Sequence, residues 1–98
     1  MFEIRLGEQG EIIMTGRLDA AQCDNALQFM DRVPAPRVVD LAGLDYVSSA
    51  GLGVLLKTQK RVMASGQGLR LVNANKHIRD IFKYAGFDRI FEIVPAGS

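Results

Sequence analysis

The chain has 98 residues, of which 48% are hydrophobic, with one cysteine, one histidine and a formal net charge of +1. This length fits one domain over residues 1–98, because independent domains usually need about 100–200 residues. The hydrophobic fraction excludes a disordered chain, and the single cysteine excludes a disulfide scaffold. The longest uncharged run, residues 46–56, is too short to span a bilayer, and residues 1–8 show no secretory signal. We therefore expect a cytoplasmic protein without direct membrane insertion.

Apolar periodicities of two and of about 3.6 residues predict eight elements in the order β-β-α-β-α-β-α-β. The opening hairpin adds one antiparallel strand, and the β-α-β units that follow predict parallel strands with right-handed crossovers. The predicted fold class is α/β, a mixed and mostly parallel sheet packed with helices. The predicted elements are strand 2–6, strand 11–15, a helix capped by Asp19 and stopped at Pro34, a buried strand 38–41, a loop 42–47, a helix from Ser48–Ser49 to Gly66, strand 69–72, a helix capped by Asn73 or Asn75 and closed by Gly86, and strand 90–94.

Apolar residues at helical spacing predict the buried face of each helix. These predicted stripes are Cys23, Leu27 and Met30 in the first helix, Leu52, Leu55, Leu56, Val62 and Met63 in the second, and Ile78, Ile81, Phe82 and Ala85 in the third.

Two loops carry the polar residues of greatest interest. Asp19 follows the second strand, whereas Asp45, Tyr46, Ser48 and Ser49 follow the third. Because the carboxyl ends of parallel strands lie at one edge of a sheet, we expect these two loops to converge on one surface.

The residues needed for most kinds of catalysis are missing from the sequence. His77 is the only candidate base, and residues 48–51 do not form a G-x-S-x-G elbow because Tyr46 and Val47 precede the serines. Cys23 lies in an apolar stripe, where a small buried side chain is expected rather than a reactive thiol. One Cys and one His cannot form a soft-metal cluster. We therefore expect no catalytic residue, no metal and no cofactor.

Gly51 and Gly53 lie in the opening turns of the second predicted helix, where each glycine costs about 1 kcal/mol relative to alanine. Residues 51–53 lack the third glycine of a dinucleotide-binding fingerprint. One interpretation is close packing of the helix on the sheet, and the other is a partner that approaches this backbone closely. The sequence leaves both open.

The Ser48–Ser49 pair is the most informative feature. Serine is a favoured N-cap, so one of the two is expected to satisfy free N–H groups of the second helix. An exposed serine at a helix N-terminus is also a good phosphorylation site, because the helix dipole tolerates the added negative charge. Such a phosphate would block docking of a partner without refolding the domain.

Charge is unevenly distributed along the chain despite the small net value. Residues 46–79 contain no acid but carry six basic residues: Lys57, Lys60, Arg61, Arg70, Lys76 and Arg79. A stretch of one sign can steer an acidic partner or a phosphate, although a solvated helix face is the simpler interpretation. The net charge gives no reason to expect a nucleic-acid partner.

The segment VVDLAGLDYVSSAGLGVLL, residues 38–56, resembles the signature of STAS domains, in particular bacterial anti-sigma factor antagonists. The segment TGRLD at residues 15–19, and GQGLRLV with IFKYAGF further along, match other parts of that family in the same order. The resemblance implies a non-enzymatic protein in a partner-switching pathway. In its unphosphorylated form such a protein binds an anti-sigma factor, usually a serine kinase of the histidine-kinase-like ATPase superfamily.

The resemblance also implies which residues act. The phosphorylated serine of the family aligns with Ser49, with Ser48 as second choice because the family commonly has Asp at that position. Ala50 stands where the family often has Ser or Thr. Phosphorylation would release the kinase, and a metal-dependent serine phosphatase would restore binding. The expected partner surface consists of Asp19, Asp45, Tyr46, Ser48, Ser49, Ala50, Gly51 and Gly53.

A second function class stays open at this point. A STAS subunit of a membrane complex, such as a lipid-transport ABC system, would dock on an ATPase without a phosphorylation cycle. The serine pair argues against this class, although a serine can also act only as a cap.

Overall fold

A computed structural model describes residues 1–96 and confirms the predicted order of elements. Two short 3-10 turns, Ala20–Gln22 and Phe87–Arg89, precede α1 and β5. The elements are β1 (Phe2–Leu6), β2 (Ile12–Leu18), α1 (Cys23–Arg32), β3 (Val38–Val47), α2 (Ser49–Met63), β4 (Arg70–Ala74), α3 (Lys76–Tyr84) and β5 (Glu92–Pro95).

The five strands form one sheet in the order β1-β2-β3-β4-β5. β1 is antiparallel to β2, and the other neighbouring pairs are parallel. Right-handed crossovers between successive neighbours place every helix on the same face of the sheet. Met30 of α1, Val54 of α2 and Phe82 of α3 accordingly belong to one buried cluster. The α/β fold with a mixed, mostly parallel sheet is confirmed.

In the described part of the chain, the other face of the sheet is not covered by helices. Arg5, Ile13, Asp40 and Val72 are cross-strand neighbours on that face, and none of them is buried. Burial therefore alternates along the start of β3, where Val39 is buried and its neighbours Val38 and Asp40 are only half-buried. The expectation that strand 38–41 is wholly buried was wrong, because that expectation assumed helices on both faces.

β2 and β3 are both longer than predicted. β2 continues past residue 15 through Gly16, whose φ of +86° fits the irregular register between the two strands. β3 continues through the expected loop 42–47, because Leu44 and Val47 still point into the core and pair with Gly16 and Leu18. The sequence between these apolar residues lacked the strict alternation that would have shown a strand.

Most of the predicted helix stripes are buried, with two exceptions. Met63 is 55% exposed and Ala85 is exposed, because they occupy the last residue of α2 and the position that ends α3. The confirmed core residues are Cys23, Met30, Leu55, Val62, Ile78 and Phe82, while Leu27, Leu52, Leu56 and Ile81 pack partly against them.

Gln59 is a buried polar residue that the apolar pattern did not reveal. Its Oε1 accepts a hydrogen bond from the Leu69 backbone N–H at 2.8 Å, and its Nε2 donates to the Ile90 carbonyl at 2.8 Å. This amide joins α2 to the chain entering β4 and to the chain entering β5, so it fixes the orientation of the helix.

Within residues 1–96, none of the helices combines the length and the hydropathy needed to cross a bilayer.

Candidate functional site

The carboxyl ends of β2 and β3 lie side by side, as expected for adjacent parallel strands. Leu18 pairs with Val47, and the Ser48 backbone N–H donates to the Leu18 carbonyl at 2.9 Å. Asp19 therefore follows one strand directly beside the point where Ser48 follows the other. The 3-10 turn after Asp19 packs against α2. The convergence of the two segments at one edge of the sheet is confirmed.

Ser48 is the N-cap of α2. Its backbone is extended, with φ −84° and ψ 171°, and its Oγ accepts a hydrogen bond from the Gly51 N–H at 3.1 Å. Its carbonyl accepts the first helical hydrogen bond, from the Leu52 N–H at 2.9 Å. The Ser48 hydroxyl thus satisfies one of the free N–H groups of the first turn.

Ser49 is the first helical residue of α2 and is exposed. Within residues 1–96 its hydroxyl has no hydrogen-bond partner, and the first turn of the helix contains no acid. The adjacent N–H groups and the helix dipole make this position favourable for negative charge. The two serines therefore occupy different environments despite being neighbours in the chain.

The two glycines of α2 also differ. A Cβ on Gly51 would lie 2.8 Å from Val47 Cγ2 and 2.9 Å from the Leu18 carbonyl oxygen, closer than real Cβ atoms approach other atoms. Gly51 is thus required for packing of the helix on the strand ends. A Cβ on Gly53 would meet nothing within 4 Å among residues 1–96. Packing within the domain does not explain Gly53.

Cys23 begins α1 beneath the serine pair. It is 9% exposed, and its thiol donates to the Asp19 carbonyl at 3.2 Å. Burial raises the pKa of the Cys23 thiol, and this effect outweighs the opposing influence of the nearby Ser48 hydroxyl. A thiol with a raised pKa stays protonated at neutral pH, which agrees with the predicted role of a small buried side chain.

Asp19 was expected to cap the first helix with its side chain, and this prediction was wrong. It precedes a 3-10 turn rather than α1, and its side chain makes no capping hydrogen bond. One carboxylate oxygen, Oδ1, is buried with no hydrogen-bond partner in the described part of the chain. The 3-10 turn shifts the start of α1 to Cys23, which moves the first free N–H groups away from Asp19.

Asp45 and Tyr46 lie in β3 rather than in the expected loop. The Tyr46 ring lies on the uncovered face of the sheet, where the Arg17 guanidinium carbon is 4.4 Å from the ring centroid. The structure therefore separates Tyr46 from the helix side of the site and leaves Asp45 exposed at the strand irregularity. Arg17 escaped notice in the sequence because only the pairing of β2 with β3 brings it to Tyr46.

A family model described as "Mlab, STAS domain" matches residues 3–95. The chain belongs to the STAS domain family. Its mixed, mostly parallel α/β fold is shared with solved structures of low sequence identity. In the sequence, the family resemblance depended mainly on the segment 38–56, which covers β3 and the start of α2 in the structure.

Several relatives of this STAS domain carry informative names. BtrV of Bordetella bronchiseptica, provisionally named an anti-sigma factor antagonist, is 41% identical over 56 residues, covering 57% of this chain and 48% of BtrV. The matched segment thus spans about half of that relative. A Thermotoga maritima protein provisionally identified as an anti-sigma factor antagonist superposes with a TM-score of 0.76 at 18% identity, covering 95% of this chain and 85% of the other.

The Bacillus cell fate determinant SpoIIAA has been solved in two forms, and both resemble this STAS domain. The unphosphorylated form superposes with a TM-score of 0.73 at 16% identity, covering 95% of this chain and 87% of SpoIIAA. The phosphorylated form gives a TM-score of 0.66 at 16% identity, over 95% and 90% of the two chains. At this identity the likeness establishes the fold alone.

Proposed function

We propose that this STAS domain is an anti-sigma factor antagonist of a partner-switching pathway, released from its partner when Ser49 is phosphorylated. Relatives named as anti-sigma factor antagonists support the general role. SpoIIAA, which shares the fold, is named as an anti-sigma factor antagonist and exists in phosphorylated and unphosphorylated forms. The partner is an anti-sigma factor that is also a serine kinase.

The division of roles between the two serines is the observation that carries this proposal. The Ser48 hydroxyl is engaged 3.1 Å from the Gly51 N–H, whereas the Ser49 hydroxyl is exposed at the first helical residue. A kinase needs an accessible hydroxyl. Transfer of a phosphoryl group to Ser48 would also alter the group that caps α2, while transfer to Ser49 leaves the cap as it is.

The phosphate acts on the surface rather than on the fold. It carries about −1.5 to −2 charges at pH 7, and the N-terminus of α2 accommodates this charge. The phosphate would lie beside exposed Ala50 and near the half-buried residues Gly53 and Asp19. A partner seated on that surface is displaced by the bulk and charge of the phosphate. A serine phosphatase that removes the group restores binding.

The contact surface is centred on the start of α2. Ser49 and Ala50 form its exposed part and Gly53 is half-buried, while Gly51 packs the helix against Leu18 from beneath. Asp19 contributes at one side, at the end of β2. Asp45 and Tyr46 contribute only if the partner extends past the edge of the sheet, because they lie in β3.

In this proposal the domain performs no chemistry itself. It supplies the accepting hydroxyl, while the kinase supplies the nucleotide, the metal ion and the catalytic groups. His77, the one histidine, is exposed in the first turn of α3, an element separate from the serine pair.

The proposal is tested by binding of the purified anti-sigma factor kinase to the wild-type domain and to Ser49→Asp. We expect Ser49→Asp to bind at least about tenfold more weakly, because the new carboxylate brings negative charge and bulk to the proposed contact surface. Its circular dichroism spectrum and melting temperature should stay near wild type. Ser48→Ala is the matched control and should still be phosphorylated by the kinase. Peptide mapping should place the phosphate on Ser49.

Equal affinity of Ser49→Asp and wild type would exclude the phosphorylation switch. Phosphate found on Ser48 would overturn the assignment of the acceptor. Stable binding to a transporter ATPase, with no phosphorylation by any kinase of the same cell, would favour the alternative of a structural subunit.

A further inference from the structure

The exposed face of α2 extends well beyond the phosphorylation site. At 100° per residue, its outward positions recur three or four residues apart along the whole helix. Each of these positions is at least partly exposed, and the opposite face is buried. The outward stripe consists of Ser49, Ala50, Gly53, Lys57, Lys60 and Ala64.

The chemistry of this stripe changes along its length. Its first half is small, with Ala50 and Gly53 next to Ser49, and its second half is basic, with Lys57 and Lys60 one turn apart. Within residues 1–96 neither lysine nitrogen lies within 4.0 Å of a carboxylate oxygen. No acid occurs between residues 46 and 79 to neutralise the pair within the helix or its flanks.

The neighbouring basic residue Arg61 is used differently. Its Nη2 donates to the Met30 carbonyl at 2.8 Å and to the Val33 carbonyl at 3.2 Å, at the end of α1. Its Nε lies 3.9 Å from the Asp31 carboxylate. Arg61 therefore has an internal role in joining α1 to α2, whereas Lys57 and Lys60 present their charge to solvent.

Stabilisation of the helix dipole does not account for both lysines. Lys60 lies in the last turn of α2, where a cation is favourable, but Lys57 lies a turn earlier. Both lysines share the face of the small residues that expose the helix backbone. A partner that packs closely on Gly53 must pass directly over the Lys57 side chain, four residues further along.

We propose that the partner presents an acidic patch to Lys57 and Lys60, so that α2 binds along its length and the lysine pair steers the association. This inference rests on the proposed function and names the chemistry of the partner at the same surface. Ser49 lies roughly 12 Å from Lys57 along the helix axis, about one and a half Debye lengths at physiological salt.

This arrangement gives the phosphate a second effect. Lys57 and Lys60 bring two positive charges to the stripe, and a phosphate on Ser49 brings about −1.5 to −2. Phosphorylation therefore cancels the net charge of the whole stripe as well as obstructing its small end. Phosphorylation of Ser49 would therefore weaken the electrostatic attraction of an acidic partner and also obstruct its contact surface at the start of α2.

The test measures association and dissociation rates of the anti-sigma factor kinase with Lys57→Glu/Lys60→Glu, between about 50 mM and 500 mM salt. We expect the association rate to fall about tenfold at the low salt concentration, with a much smaller change in the dissociation rate, because peripheral charges act mainly on steering. The difference from wild type should shrink at the high salt concentration, where the charges are screened.

The matched control is Lys83→Glu/Arg89→Glu, which makes the same change of charge at exposed positions in and after α3. It should associate at close to the wild-type rate. Equal slowing by both variants would show an effect of net charge and overturn the proposal, as would wild-type association of Lys57→Glu/Lys60→Glu. Ser49→Asp separates this proposal from the proposed function. If Ser49→Asp loses binding while either contrary result is found for the lysine variant, only the acidic patch is rejected and the proposed function is still supported.

Discussion

The two faces of α2, a fifteen-residue helix, differ in burial and in contacts. The inner face carries Gly51, Leu55 and Gln59, all buried and all in contact with the sheet or the chain that leads into it. The outer face carries Ser49, Gly53 and the lysine pair, which have no such contacts. Substitutions on the inner face should therefore change stability, and substitutions on the outer face should change binding.

In the proposed function, this separation would allow a 98-residue domain to be switched without being unfolded. A domain of this size has a net stability of about 5–15 kcal/mol, so a switch that disturbed the core would remove a large part of it. A modification confined to the outer face leaves the buried contacts intact. Paired measurements of stability and of partner binding test whether the two faces are as independent as the structure indicates.

Gln59→Leu should give the largest effect, a loss of about 2–3 kcal/mol in the free energy of unfolding. Leucine fills a similar volume but leaves the Leu69 N–H and the Ile90 carbonyl without their 2.8 Å partners. Urea denaturation measures the change. Partner binding, measured on the folded fraction, should stay near wild type.

The control for this prediction is Gln67→Leu, the same substitution at an exposed position after α2. It should change the free energy of unfolding by no more than about 0.5 kcal/mol. If Gln59→Leu were as stable as Gln67→Leu, the two hydrogen bonds of Gln59 would not hold the inner face in place.

The adjacent serines offer the sharpest comparison of the two faces. Ser48→Ala removes the side chain that accepts from the Gly51 N–H and should cost about 1 kcal/mol of stability. Ser49→Ala removes an exposed hydroxyl and should change stability by less than about 0.5 kcal/mol, while abolishing phosphorylation. Thermal denaturation and a kinase assay on both variants separate the two roles.

A reversed pattern would contradict the structure at this site. If Ser49→Ala were the less stable variant, Ser49 rather than Ser48 would cap the helix, and the accessible hydroxyl would belong to Ser48.

The sequence predicted the order of elements and the meeting of Asp19 with the serine pair, because both follow from apolar periodicity and from parallel strand topology. It could not predict that Asp45 and Tyr46 lie in β3, since that depends on pairing with β2 across an irregular register. It also could not rank Ser48 against Ser49 from local pattern alone. If α2 began one residue later, Ser49 would be the N-cap and Ser48 would lie before the helix, so the roles of the two serines depend on the exact start of α2.

Gly51 and Gly53 also could not be distinguished from the sequence. Both lower the helix propensity of α2 by the same amount, and only the atoms that surround each of them in the structure differ. The Leu18 carbonyl and the Val47 side chain leave no space for a Cβ at Gly51, while Gly53 faces open space. Of the two interpretations that the sequence left open, close packing applies to Gly51, whereas close approach of a partner at Gly53 stays a prediction.

Gly53→Ala gives the smallest change in stability and the only one of favourable sign. Alanine fits the space around Gly53 and should raise the free energy of unfolding by up to about 1 kcal/mol, because glycine is a poor helix former. The added methyl lies on the outer face, so binding to the anti-sigma factor kinase should weaken by about tenfold where the partner packs closely on the backbone. In one preparation of Gly53→Ala, the free energy of unfolding would then rise while the affinity for the kinase falls. A variant that is more stable and binds as well as wild type would show that the partner does not reach Gly53, and would confine the contact to the first turn of α2.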